Sequence, residues 1–198
     1  MNHKIIHLSQ LNEVQITELA CLHCKVMHSL LTDLGLPIVE RYYQIAYKDL
    51  DVVGFCALSE TGQLLGWAIG SSKPEQLNGR LREAPLWFVS QMMRVVITHP
   101  RVMGQLLLSL KTASTPMPEE ATELTYIGLD MSARKQGLGR ILLDTFVQAA
   151  RELKYHTVVL SVEAENTEAI ALYTKAGFKI MDSFSEGKFN RHRMELTL

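Results

Sequence analysis

The chain has little of what marks several large classes of protein. It carries 3 cysteines in 198 residues, an odd and sparse set that makes no disulfide framework, so a reducing compartment is expected. No apolar run approaches the length of a bilayer span, and the opening Met1-Asn-His-Lys lacks the apolar core of a secretory signal. A formal charge of −1 argues against a general surface for nucleic acid or anionic membrane. Internal repeats and low-complexity tracts are missing too. These absences point to a cytoplasmic protein whose partners are small molecules, with no nucleic acid and no membrane. What is present is apolar bulk: 47% of the residues are hydrophobic, enough for one sizeable core, and residues 1–198 are read as one domain.

Metal and nucleophile sets are thin. Cys21, Cys24 and His28 would share a helix face at offsets of three and four and could supply three ligands. Leu22, Val26, Leu30 and Leu31 mark the same region as a packed helix, and no second cysteine pair completes a site, so no metal is assigned. His23, His28, His99 and His156 belong to no Ser/His/Asp or Cys/His set and receive no role.

The most informative stretch is Arg134-Lys-Gln-Gly137-Leu-Gly139, between an expected strand (Glu123 to Met131) and an amphipathic helix (Leu138 to Leu153). Such a loop turns several N–H groups toward one point at the positive end of a helix, and the glycines let a phosphate approach the main chain. Arg134, Lys135 and Arg140 add positive charge, so an anionic, nucleotide-like ligand is expected. A dinucleotide fold wants a third glycine where Leu142 stands, and a Walker loop wants Lys-Ser or Lys-Thr where Arg140 and Ile141 follow Gly139. An ordinary glycine turn entering a helix needs no more than these residues and stays open.

A second segment lies downstream, after the alternating strand Thr157 to Val162: Asn166-Thr-Glu-Ala169-Ile-Ala-Leu-Tyr173-Thr-Lys-Ala-Gly177-Phe178. Singly, Asn166 is a good helix N-cap, Gly177 a good residue past a helix end, and Tyr173 a half-buried helix residue. Together, in this order, the two segments resemble the GCN5-related N-acetyltransferase (GNAT) superfamily, whose acetyl-CoA site joins a Gln/Arg-x-x-Gly-x-Gly/Ala loop to Asn-x-x-Ala-x-x-x-Tyr-x-x-x-Gly-Phe. The resemblance covers Glu123 to Phe178 and extends over Lys4 to Ser71. It implies a mixed α/β sheet with helices on both faces and acetyl-CoA as co-substrate. The implied contacts are Leu129, Met131, Arg134, Lys135, Gln136, Gly137, Leu138, Gly139 and Arg140, then Asn166, Ala169 and Tyr173. Asp130 sits just before Met131, where many family members have proline.

The resemblance also implies catalytic roles. A protonated amine must lose a proton before it attacks a thioester, and the departing thiolate gains from a nearby acid. Tyr173 matches the family's acid, and a backbone N–H near Leu129 would hold the carbonyl oxygen. Glu123, eleven residues before Arg134, matches the offset of the catalytic glutamate in the histone-modifying branch. A surface glutamate at a strand end reads equally well there, with Glu163 and Asp130 as reserves.

Periodicity orders the rest. Lys4 to Leu8 reads as a strand, Glu13 to Asp33 as one long helix stopped by Gly35 and Pro37, and Val39 to Ala46 as a second helix. Strands Asp51 to Leu58 and Leu64 to Ile69 meet at a turn containing Gly62, and Phe178 to Phe184 with Arg191 to Leu198 form a closing hairpin around Ser185-Glu-Gly187-Lys. Residues 72–120, between the third and fourth strands, exceed a simple loop and read as a helical insertion, Pro85 to Thr98 and Arg101 to Lys111, with an extended return through Pro116 and Pro118. Its apolar faces would pack against the first helices or a second subunit, as in a homodimer, or roof the acceptor pocket with Trp87, Phe88, Met92, Met93 and Met103. The expected function is acetyl transfer from acetyl-CoA to a small-molecule amine. A protein N-terminal or lysine acetyltransferase, a non-catalytic CoA-binding regulatory module and a structural dimerisation protein are the alternatives.

Overall fold

A computed structural model describes residues 3–98, 104, 117–118, 120–186 and 189–198. Seven strands form one sheet in the order β1-β2-β3-β4-β5-β7-β6: β1 His3–His7, β2 Val52–Ser59, β3 Leu64–Ser71, β4 Ala121–Leu129, β5 Thr157–Glu163, β6 Lys179–Glu186 and β7 Phe189–Thr197. Only β4 and β5 pair in parallel, so the chain between them must cross over, and helix α6 (Leu138–Glu152) makes that crossing.

Alternation splits the core into two layers. Cys56, Trp67 and Ile69 face a cluster built with Ile16, Leu19 and Leu22 of α1 (Glu13–Val26) and Ile38, Tyr42 and Tyr43 of α3 (Leu36–Ala46). Their strand neighbours Val53, Ala57, Leu65 and Ala68 face the other cluster, with Leu142, Leu143 and Phe146 of α6 and Tyr173 of α7 (Thr167–Lys175). Buried on both faces, β3 has all eight residues in the interior.

The first helix departs from expectation. Glu13 to Asp33 is two helices, because α1 ends at Val26 and Ser29 caps a short α2 (Leu30–Asp33), its Oγ accepting from Thr32 N–H at 3.1 Å. Gly35 and Pro37 open α3 rather than closing α1: Gly35, at φ 94°, is its N-cap, and proline suits the first turn, where an N–H has no helical partner.

Between β3 and β4 the helix Pro85–Thr98 (α5) has the expected limits, and α4 (Pro74–Arg80) precedes it unforeseen. A prolyl start and Leu77 against the core hold α4, and Arg80 Nη1 donates to Asp49 Oδ2 at 2.6 Å. Trp87, Phe88 and Met92 pack against the α1–α3 cluster, while Leu86, Val89, Met93 and Ile97 are exposed. The anticipated helix Arg101 to Lys111 lies outside the described residues apart from Gly104, as do Met103 and the turn residues Gly187 and Lys188. Among the described residues no helix is long and apolar enough to cross a membrane.

Candidate active site

The sheet forks. β4 and β5 share rungs only from Ala121↔Thr157 to Leu124↔Leu160, yet β4 runs on to Leu129 and β5 to Glu163. A bulge lies at the parting: Ile69 pairs with Tyr126 and Gly70 with Leu124, leaving Thr125 as the extra residue on β4. Gly70 permits the tight approach there, since a Cβ on it would lie 2.0 Å from the carbonyl oxygen of Glu123 and 2.6 Å from Phe146 Cζ. Beyond the bulge Asp130 N–H donates to Leu65 O at 2.8 Å, on the β3 side. Strand alternation therefore turns the N–H of Leu129 toward the fork.

At the open end of the fork, β4 passes through a short turn (Met131–Ala133) into the glycine loop. Lys135 (φ 60°) and Gly137 (φ 79°) both take left-handed backbone, which curls the main chain around the N-terminus of α6. Nothing lies within 4 Å of where a Cβ on Gly137 would stand. Arg134, Lys135, Gln136 and Gly137 are exposed and Gly139 is half-buried, and the first-turn N–H groups of α6 have no carbonyl within the helix to bond. The arrangement fits a pyrophosphate.

The second segment is a short helix capped at both ends. Asn166 Oδ1 accepts from Ala169 N–H at 3.1 Å. At the other end Phe178 N–H donates to Tyr173 O and Gly177 N–H to Thr174 O, both at 3.0 Å, with Gly177 at φ 99°. That pairing is a Schellman motif, completed by the contact of the Tyr173 and Phe178 rings at 5.9 Å. The spacing Tyr-x-x-x-Gly-Phe thus encodes a helix end that pins the tyrosine. Burial raises the Tyr173 phenol above its ordinary range, so it stays protonated at neutral pH.

The fold brings the two segments together. A Cβ on Gly139 would touch Leu129 Cδ1 at 3.5 Å and Leu172 Cδ2 at 3.7 Å. Arg140, expected to add charge to the cradle, is engaged elsewhere: its Nε donates to both oxygens of Asp144 at 2.8 Å and its Nη1 to Lys175 O at 3.1 Å. The cradle's positive charge then rests on Arg134 and Lys135.

Glu123 stands on the next-to-last rung before the fork, opposite Val159. Burial first, then Tyr126 and last the Glu123 carboxylate raise the Tyr42 phenol, which places Glu123 on the α1–α3 face. Arg193 of β7 reaches over from the same face, with Nη1 3.9 Å from Glu123 Oε2. Asp130 is unsuited as a base: Lys25 Nζ at 2.8 Å, then the N–H and hydroxyl of Ser132, hold its carboxyl down at about 2. Glu163 ends β5 opposite Arg191.

His23 was given no role by its sequence position, and the structure gives it one. Fully buried, it sits 2.8 Å from Tyr43 Oη through Nδ1 and 3.3 Å from Ser29 Oγ through Nε2, with the Tyr126 ring 4.7 Å away. It links α1, the α2 cap and α3 behind the fork, and burial lowers it to about 4. No sequence signal beyond a polar residue on an apolar helix face marks it. Among the described residues no group of three His, Cys, Asp or Glu side chains could hold a metal ion.

The acetyltransferase (GNAT) family model matches residues 25–178. The chain belongs to this family. It is 35% identical over 109 residues to a mycothiol acetyltransferase of Geodermatophilus obscurus, a match covering 55% of this chain and 35% of that protein. The chain thus spans about a third of the length of the curated relatives it matches. The fold is that of the ribosomal-protein-S18-alanine N-acetyltransferase of Escherichia coli, with a TM-score of 0.61 at 16% identity over 99% of this chain and 94% of that one. PaiA N-acetyltransferase of Thermoplasma acidophilum, solved in complex with coenzyme A, matches with a TM-score of 0.61 at 12% identity over the whole of both chains.

Proposed function

We propose that this chain transfers the acetyl group of acetyl-CoA to a primary amine of a small molecule, by direct attack in a ternary complex. The observation that carries the reading is the forked sheet with a phosphate cradle at its open end and Glu123 at its root. A thioester laid along β4 from the cradle would bring its acyl carbon toward that root.

Acetyl-CoA supplies the activated acyl group. The chain's own residues do the rest: backbone N–H groups around Gly137 and Gly139, with Arg134 and Lys135, hold the pyrophosphate. The N–H of Leu129 faces the fork and suits a carbonyl oxygen on which charge develops. Glu123 lies six residues back along β4, roughly 20 Å of strand, so it takes the proton of the incoming ammonium through a chain of water, and the Tyr173 phenol, which burial raises further above neutrality, returns one to the leaving sulfur. Gln136, Leu138, Met131 and Ala169 shape the loop and helix walls, and Asn166 holds Ala169 in place by capping α7. Relatives named for mycothiol acetylation favour a small acceptor over a protein.

Release of free thiol from acetyl-CoA, followed across a panel of small amines and of peptides, tests the reading. Turnover with small amines supports it. Turnover with peptides alone would reassign the chain as a protein N-terminal or lysine acetyltransferase. Stabilisation by acetyl-CoA with no turnover on any amine would leave a CoA-binding module.

A further inference from the structure

Helix α5 is apolar on two opposite sides. Trp87, Phe88 and Met92 pack onto the α1–α3 cluster, and Val95 is buried. Leu86, Val89, Met93, Val96 and Ile97 recur at helical spacing on the other side and are exposed, Leu86 at 88% and Ile97 at 75%. An apolar stripe of that length marks a surface that something else covers.

The polar groups of the helix suit a cover that holds little water. Ser90 Oγ donates to Trp87 O at 2.6 Å, Thr98 Oγ1 to Arg94 O at 2.8 Å, and Gln91 Nε2 to Ser90 Oγ at 3.4 Å. Each of these side chains aims a donor within the helix, as a polar group must where no water can serve it. The cations differ. Arg94 within the helix and Arg82 before it are exposed, and among the described residues no carboxylate lies within ion-pair distance of either.

Charge selects the occupant. The chain has 21 Asp and Glu in 198 residues and a net charge of −1, yet Ala84 to Pro118 contains no acid and carries Arg94, Arg101 and Lys111. The near-neutral total, which argues against an anionic surface, hides this local excess. A second copy would bring the same positive segment against itself. It would also find little area: the 14 residues of α5 offer a strip of about 21 by 10 Å, roughly a quarter of the ~800 Å² that each partner buries in a stable pair. An anionic bilayer surface carries the opposite charge and takes a single helix lying flat.

We infer that α5 docks the protein on an anionic membrane surface, with Leu86, Val89, Met93 and Ile97 beneath the headgroups and Arg94 on the lipid phosphates. The helix lies in the interface without crossing it, and its inward side keeps its packing on the α1–α3 cluster. The inference is independent of the acetyl-transfer reading.

Flotation of the full chain with vesicles tests it, comparing equal parts of phosphatidylglycerol and phosphatidylcholine with phosphatidylcholine alone, while thermal unfolding confirms that each variant is folded. Wild type should float with the anionic vesicles and not with the neutral ones, and its apparent Kd should rise with salt. The double variant Leu86→Ser/Ile97→Ser should weaken binding roughly tenfold or more, as expected for two apolar anchors. Arg94→Gln should weaken it roughly fivefold, the effect of one cation near such a surface. These side chains face away from the core, so the thermal shift by acetyl-CoA should stay as in wild type. No binding of wild type to anionic vesicles, or equal binding by the folded double variant, would overturn the inference. A dimer in vesicle-free solution that the double substitution dissociates would assign the face to a second copy instead.

Discussion

Arg140 fastens the cradle helix to the motif helix: its Nη1 donates to the carbonyl of Lys175 at 3.1 Å while its Nε grips Asp144. The ion pair is exposed and contributes little, so most of the effect lies in the bond to Lys175, a helix-end carbonyl with no partner of its own. Arg140→Ala should cost about 1 kcal/mol, read as a modest fall in the thermal midpoint. The additional stabilisation by acetyl-CoA should survive, since Arg134 and Lys135 remain. Loss of that ligand-induced shift would return Arg140 to the binding set.

The two cradle glycines should fail for different reasons. Gly137 needs left-handed backbone but has open space, so Gly137→Ala should cost about 1 kcal/mol of stability through its φ alone. At Gly139 a methyl would meet Leu129 and Leu172 at ordinary contact distance, so Gly139→Ala should be mild. Gly139→Asp adds a negative charge where the phosphates are expected and should abolish the acetyl-CoA thermal shift. Equal shifts in Gly139→Asp and wild type would remove the cradle assignment.

Tyr173→Phe keeps the ring against Phe178 and the Schellman end, so stability should hardly change. Turnover should drop by roughly one to three orders of magnitude with acetyl-CoA affinity nearly intact, as for an acid used in the transition state. Unchanged turnover in single-turnover kinetics would reject the acid role.

His23 makes stability depend on pH. Its folded value of about 4 lies below the ordinary 6.5, so the folded state refuses a proton that the unfolded chain accepts. The contribution is whole above pH 6.5 and is lost as pH falls from 6.5 to 4, on the order of 3 kcal/mol in all. Asp130 acts lower, its stabilisation fading only between 3.8 and about 2. Urea unfolding at pH 7 and pH 4.5 should show a smaller pH difference in His23→Gln than in wild type. Identical differences would assign the acid sensitivity to other groups.

Much of the candidate site was legible because its parts are local. Asn166 capping Ala169, and Gly177 with Phe178 closing on Tyr173, are bonds between residues three to five apart, and the cradle needs only two glycines at a helix start. Helix α5 and the alternating strands were readable for the same reason, each written in its own periodicity. Determined by the sequence alone were therefore the local geometry of the two motif segments, the mixed sheet and the family.

The break after α1 was not legible. Glu13 to Asp33 is helical by pattern, and the interruption is held by His23, Ser29 and Tyr43, two of them on different helices. The fork depends on the bulge at Thr125 and on Gly70 meeting a carbonyl of another strand. Arg193 reads in the sequence as one more polar residue of an alternating strand. Only tertiary structure set it beside Glu123, because register across β4, β5 and β7 decides which charges share a face, and no residue in those strands records the register of its neighbours.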